Sequence, residues 1–270
     1  MSLIELDEIK SIVNKALEIF QSFESPFLGT IEVDGNVAFV GDTHGAIDVT
    51  SQVFSDIADK VDKVVFLGDY VDRGEDQLGN LKLILQKLIE NKEKYIVLRG
   101  NHESPLTNEY YGFKKEISNK LGEENYNMFI ELFSYMPYAV VVNNYFCVHG
   151  GIASGLEKVE DIKKLPRPDE IPNDPIAFQL LWNDPREGLG DLDFLPNIRG
   201  EGTYYFGERV VEDFLKKNSL NGIIRGHEVA DGFREDMNGK VITVFSSRYH
   251  KMRAGVLILK KDGKMDKIYL

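Results

Sequence analysis

A single cysteine, Cys147, among 270 residues rules out an internal disulfide framework. Long apolar runs are missing too, since no stretch approaches the ~18 residues that would span a bilayer. Basic residues are in deficit. The 32 Lys and Arg face 44 Asp and Glu, a formal net charge of −12, which disfavours non-specific attraction to nucleic acid or anionic membrane. The opening MSLIELDEIK is acidic rather than a basic leader ahead of an apolar segment, so the sequence predicts a soluble, cytoplasmic protein with neither nucleic-acid nor membrane partners. Internal repeats, low-complexity tracts and flexible linkers are also lacking, and a 43% hydrophobic content can bury a substantial core. One domain spanning residues 1–270 is expected.

What the chain has is a succession of apolar elements. Ile9, Ile12, Val13, Ala16, Leu17, Ile19 and Phe20 recur at helical spacing until Ser25-Pro26 ends the pattern. NVAFVG (36–41), KVVFLG (63–68) and KYIVLRG (94–100) read as buried strands. Helical spacing separates them, at Val49, Val53, Phe54, Ile57 and Ala58 and again at Leu78, Leu81, Ile84, Leu85, Leu88 and Ile89. Strand–helix alternation of this kind predicts an α/β fold with a parallel sheet. Further on, 123–135 reads as helix and AVVVNNYFCV as two short strands around an Asn-Asn turn. Residues 166–196 carry six of the nine prolines and read as loop with one short helix near 176–181. GIIRG, KVITVFSS and GVLILKKDGKMDKIYL look like strands joined by Asn-Gly and Asp-Gly turns, predicting antiparallel pairing and α+β character in the C-terminal half.

Open α/β sheets place ligands just past the carboxyl ends of their strands. Here the predicted strand ends deliver GDTHG (41–45), GDYVDRG (68–74), RGNHE (99–103), HGG (149–151) and, after GIIRG, His227. Four of the five histidines, His44, His102, His149 and His227, follow a buried strand in a glycine-bearing loop. Carboxylate, carboxamide and imidazole together suit borderline divalent ions. Asp42, His44 and Asp69 can hold one ion and Asn101, His149 and His227 a second, with Asp69 between them as a bridge. Two such ions activate a shared water for in-line displacement at phosphorus.

In this order, GDTHG, GDYVDRG, RGNHE, VHGG and RGHE resemble the signature of the PPP family of metal-dependent serine/threonine protein phosphatases. The likeness continues in LLWNDP (180–185), RGEGTYYFG (199–207) and VFSSRYH (244–250), and covers essentially the whole chain. It implies a metallophosphoesterase-type central β-sandwich flanked by helices, similar to compact prokaryotic or archaeal members. It also implies two divalent or trivalent metal ions (manganese foremost, with iron, zinc or cobalt as alternatives), phosphoprotein substrates, and a monomer or weak oligomer. The resemblance assigns metal ligation to Asp42, His44, Asp69, Asn101, His149 and His227. Arg73 and Arg199, with Asn101, would bind the phosphoryl oxygens, bidentate geometry suiting guanidinium. His102 would be the general acid, oriented by Asp72, and a dimetal-bridging hydroxide the nucleophile, so that no phosphoenzyme forms.

The final block departs from the family pattern, being a residue shorter, without Pro-Asn, and with His250 where a cysteine often stands. Tyr249 is nevertheless expected near the phosphate, and Arg248 is expected to add positive charge beside the site. Trp182 and Cys147 read as packing residues. Competing readings are a dinucleoside polyphosphate hydrolase, another metallophosphoesterase such as a nuclease, and an inactive phosphatase-like binding module.

Overall fold

The computed structural model describes residues 3–270. Two sheets carry the fold. One has six strands in the order β1-β5-β6-β10-β12-β11: β1 (Phe27–Ile31), β5 (Ala139–Val142), β6 (Tyr145–Val148), β10 (Gly222–Arg225), β11 (Phe233–Asp236) and β12 (Val241–Val244). The other has five in the order β14-β13-β2-β3-β4: β2 (Val37–Val40), β3 (Lys63–Phe66), β4 (Tyr95–Val97), β13 (Gly255–Leu259) and β14 (Met265–Tyr269). A small third sheet joins β7 (Asp184–Pro185), β9 (Tyr204–Phe206) and β8 (Phe194–Pro196).

Alternation along each strand explains the layering. Val37, Phe39, Val65, Leu67 and Leu257 pack against Val140, Val142, Cys147, Ile224 and Val244, forming the layer between the large sheets. The alternate residues Ala38, Val40, Val64 and Phe66 face helices α1 (Leu3–Ser22), α3 (Gln77–Glu90) and α6 (Asn127–Ser134). On the far side, Ala139, Val141, Phe146 and Val148 meet α7 (Pro175–Trp182) and α8 (Glu208–Asn218). Strands buried on both faces read as unbroken apolar runs in sequence. Each such side chain contributes roughly 1.5–3 kcal/mol on burial. The result is the β-sandwich flanked by helices that the resemblance implied.

One sequence expectation is corrected and two gaps are filled. Strand β10 pairs with β12 in parallel, as it does with β6, because β11 intervenes as the antiparallel hairpin partner of β12. Residues 105–121, to which the sequence reading assigns no element, carry helices α4 (Pro105–Tyr111) and α5 (Phe113–Leu121). Ser104 caps α4 with Pro105 in its first turn, and Gly112 at φ 119° separates it from α5. Within the proline-rich stretch Asp174 caps α7, accepting from the amides of Ile176 and Ala177, but β7 and β8 were not foreseen. Helix α2 (Ile47–Gln52) follows β2 as expected.

Candidate metal centre and phosphate site

Strands β2, β3 and β4 of one sheet and β6 and β10 of the other end on the same rim, and an isolated parallel bridge between Asp42 and Phe245 ties the sheets there. The connecting loops turn sharply. His44, Asp69, Asp72, Arg73 and His227 hold φ values of 44°, 60°, 67°, 72° and 72°. Non-glycine residues in that region cost of order 1–3 kcal/mol each, and such strain gathers at functional sites. Where β3 and β4 end, a Cβ on Gly100 would sit 2.2 Å from Asp69 Oδ1, so the close approach of these loops requires glycine.

The backbone fixes half of each donor. Asp42 Oδ1 accepts from the His227 amide at 2.8 Å, and Asp69 Oδ1 from the His102 amide at 2.9 Å. The remaining oxygens face imidazoles: Asp69 Oδ2 lies 3.5 Å from His44 Nε2 and 3.2 Å from His149 Nε2, and Asp42 Oδ2 lies 3.8 Å from His44 Nε2. Nδ1 of His44 and of His149 stands 2.8 Å from the carbonyls of Val71 and Leu67, and Nε2 of His227 stands 3.1 Å from that of Trp182. A carbonyl can only accept, so these outer nitrogens carry protons, and the inner nitrogens of His44 and His227 turn lone pairs inward. Asn101 Oδ1 meets two of the inner nitrogens, His149 Nε2 at 2.8 Å and His227 Nδ1 at 2.9 Å.

Carboxylate, carboxamide and imidazole groups therefore crowd together, with His149 supplying the counter-charge among the inner imidazoles. Burial and the Asp69 carboxylate push Asp42 up to about 7. Burial alone would lower His149, but Asp69 and Asp42 carry it up to about 9. Burial takes His44 down to about 4, and burial with Arg199 takes His227 well below its ordinary value, leaving both imidazoles neutral. Ligand atoms of His44, Asp69 and His102, and of Asp69, His149 and His227, lie within 4.8 Å of one another, with Asp69 common to both sets. This donor set fits two divalent cations.

His102, a member of the first of those sets, has its Nδ1 2.7 Å from Asp72 Oδ2, and Asp72 is fully buried. His102 is raised above its ordinary value: burial opposes this, and Asp69 and Asp72 outweigh it. Arg73 has no ion pair among the described residues and lies over the Tyr111 ring at 4.3 Å and the Tyr249 ring at 5.6 Å. Tyr249 meets His44 edge-on at 5.3 Å. Arg199 Nε is 2.5 Å from Asp184 Oδ2, its side chain 30% exposed. Arg248, expected to add charge beside the site, instead pairs with Asp48 at 2.7 Å and donates to Gln52 and the Leu270 carbonyl. Trp182 stacks on Phe178 and also meets His227 edge-on at 5.7 Å, while Cys147 is buried and its thiol is pushed up by burial.

The sequence model of calcineurin-like phosphoesterases matches residues 35–231, which hold all six donors and His102. The chain belongs to the calcineurin-like phosphoesterase family. Among its relatives, the serine/threonine-protein phosphatase 4 catalytic subunit of Saccharomyces cerevisiae is 34% identical over 245 residues, covering 88% of this chain and 78% of that one. Its counterpart in Kluyveromyces lactis is 32% identical over 272 residues, covering 98% and 86%. A solved Saccharomyces cerevisiae serine/threonine phosphatase with similarity to human phosphatase PP5 superposes with a TM-score of 0.88 at 28% identity, covering 98% of this chain and 89% of that one. A cold-active protein-tyrosine phosphatase of a Shewanella psychrophile shares the fold, with a TM-score of 0.63 at 18% identity over 88% and 81% of the two chains.

Several residues of this calcineurin-like phosphoesterase site were not assigned from sequence. Glu103 accepts from the amides of Asp69, Tyr70 and Gly100 at 2.7, 2.8 and 2.8 Å, holding the strained Asp69 loop. Asp184 bridges Arg199 to Arg225, whose fully buried guanidinium also donates to the Gly150 carbonyl beside His149. Both lay in quoted motifs, RGNHE and WNDP, and only their burial gives them a role. Asn108 and Tyr111, from the unforeseen helix α4, had no such signal.

Proposed function

We propose that this chain is a metal-dependent phosphatase that hydrolyses phosphoserine and phosphothreonine monoesters in proteins. The observation that carries the reading is the His102–Asp72 pair, 2.7 Å apart, joined to a donor cluster that fits cations. Its relatives named as serine/threonine-protein phosphatase catalytic subunits support the substrate class.

Asp42, His44 and Asp69 would hold one cation and Asn101, His149 and His227 the other, with Asp69 shared. Bound there, the pair supplies Lewis acidity that activates water and polarises the phosphoryl group. Manganese is the first choice, followed by iron, zinc and cobalt. Arg73 and Arg199 grip the phosphoryl oxygens with Asn101, and Tyr249 closes the pocket beside His44. Because Nδ1 of His102 is held by Asp72, Nε2 is the atom that gives its proton to the departing serine or threonine oxygen. Water accepts the phosphoryl group directly, and no covalent phosphoenzyme accumulates. Since the donors run from residue 42 to residue 227 and draw on both sheets, we read residues 1–270 as one catalytic domain. No helix among the described residues is long and apolar enough to cross a membrane.

Turnover should be compared on phosphoserine, phosphothreonine and phosphotyrosine peptides and on a dinucleoside polyphosphate, across a manganese, iron, zinc and cobalt series with chelator as control. Fastest cleavage of the dinucleotide would overturn the proposal.

A further inference from the structure

Behind the acid pair lies a polar chain that no part of the chemistry above uses. Asn108, on α4, is fully buried. Its Nδ2 donates to Asp72 Oδ2 at 3.0 Å and to the His102 carbonyl at 2.7 Å, and its Oδ1 accepts from the Tyr126 hydroxyl at 2.9 Å. Both amide protons thus face acceptors and the oxygen faces a donor, so the orientation of the carboxamide is dictated by its surroundings. Asp72 Oδ2 receives the His102 ring and Asn108 together, while Asp72 Oδ1 accepts from the Phe113 amide at 2.9 Å.

We propose that Asn108 is a positioning residue for the leaving-group acid: one carboxamide fixes both the backbone of His102 and the carboxylate that orients its ring, and Tyr126 locks that carboxamide in place. Without Asn108, Asp72 is held only through Oδ1 by the Phe113 amide, and Oδ2 keeps the imidazole alone, so the carboxylate can turn about that anchor and Nε2 loses its aim at the leaving oxygen. Loss of aim costs rate only where the leaving group needs a proton. Phosphoserine departs as an alkoxide and needs one; p-nitrophenolate leaves unaided.

This inference rests on the proposed phosphomonoesterase function, and the test separates the two. Purified, manganese-loaded wild type, Asn108→Ala, Asn108→Asp and Tyr126→Phe are assayed on a phosphoserine peptide and on p-nitrophenyl phosphate, with metal content by elemental analysis. For Asn108→Ala we expect kcat on phosphoserine to fall roughly 10–100-fold, against no more than about 3-fold on p-nitrophenyl phosphate, with metal content retained. Asn108→Asp keeps the shape but sets a carboxyl group against Asp72, so it should restore nothing. Tyr126→Phe should show the same split at about 3–10-fold, which keeps the test open if Asn108 variants fold poorly. Equal losses on both substrates, no loss on either, or full rescue by Asn108→Asp would overturn the inference. Wild type that cleaves p-nitrophenyl phosphate but no phosphopeptide would overturn the proposed function and this inference with it.

Discussion

His102 Nε2 stands 4.0 Å from Asp69 Oδ2 while Nδ1 is bound to Asp72, so the residue could be counted either as a cation ligand or as a proton donor. His102→Asn separates these. As donor, its loss should lower phosphoserine turnover by roughly 100- to 10,000-fold while elemental analysis still finds two metals per chain. Asp69→Asn should do the reverse damage, reducing metal content below two per chain, because Asp69 belongs to both donor sets. Cation uptake must also release protons. Asp42 sheds one held up to about 7 and His149 one held up to about 9, so affinity for manganese climbs with pH from about 6 toward about 9 and falls on acidification. Calorimetry in two buffers of different ionisation enthalpy measures this release, and identical apparent enthalpies would contradict it.

Among the elements, the segment after β12 presents Tyr249 to the site, and its anchor is Arg248, 44% exposed, on Asp48. An exposed ion pair contributes at most about 1 kcal/mol to stability. Arg248→Ala should therefore leave the melting temperature nearly unchanged and raise KM for phosphopeptide about 2–5-fold as Tyr249 loosens. A change in melting temperature without a change in KM would place Arg248 outside the site. The elements also show what a sequence can reveal. Strands β2, β3 and β4 were legible because apolar runs end abruptly in glycine and charge, and those ends carry all the donors of their sheet. Strand β1 was hidden by Gly29 within FLGTI, and α4 and α5 by their brevity on either side of Gly112. Helix α8 had a usable signal, Val211, Phe214 and Leu215 at helical spacing. The direction of β10 had none, since it is set by β6 and β12, distant in sequence. Arg73 lay in a quoted motif, whereas the Tyr111 beneath it, on α4, did not.

At the scale of the whole molecule, the layer between the sheets is what brings the two halves of the rim together. Phe39 lies at its centre, fully buried, and Phe39→Ala should cost about 3–5 kcal/mol, measurable by denaturant melts. Three donor-bearing strand ends come from one sheet and two from the other. A cation gripped by both would act as a rivet across the sandwich, pinning the sheets at the rim where residues 245–254 cross from β12 to β13. In refolding experiments, high-affinity manganese capture should then appear only in the slowest phase, after the bulk of the helical signal has returned. Capture that kept pace with helix formation would mean that one sheet alone can hold the ion.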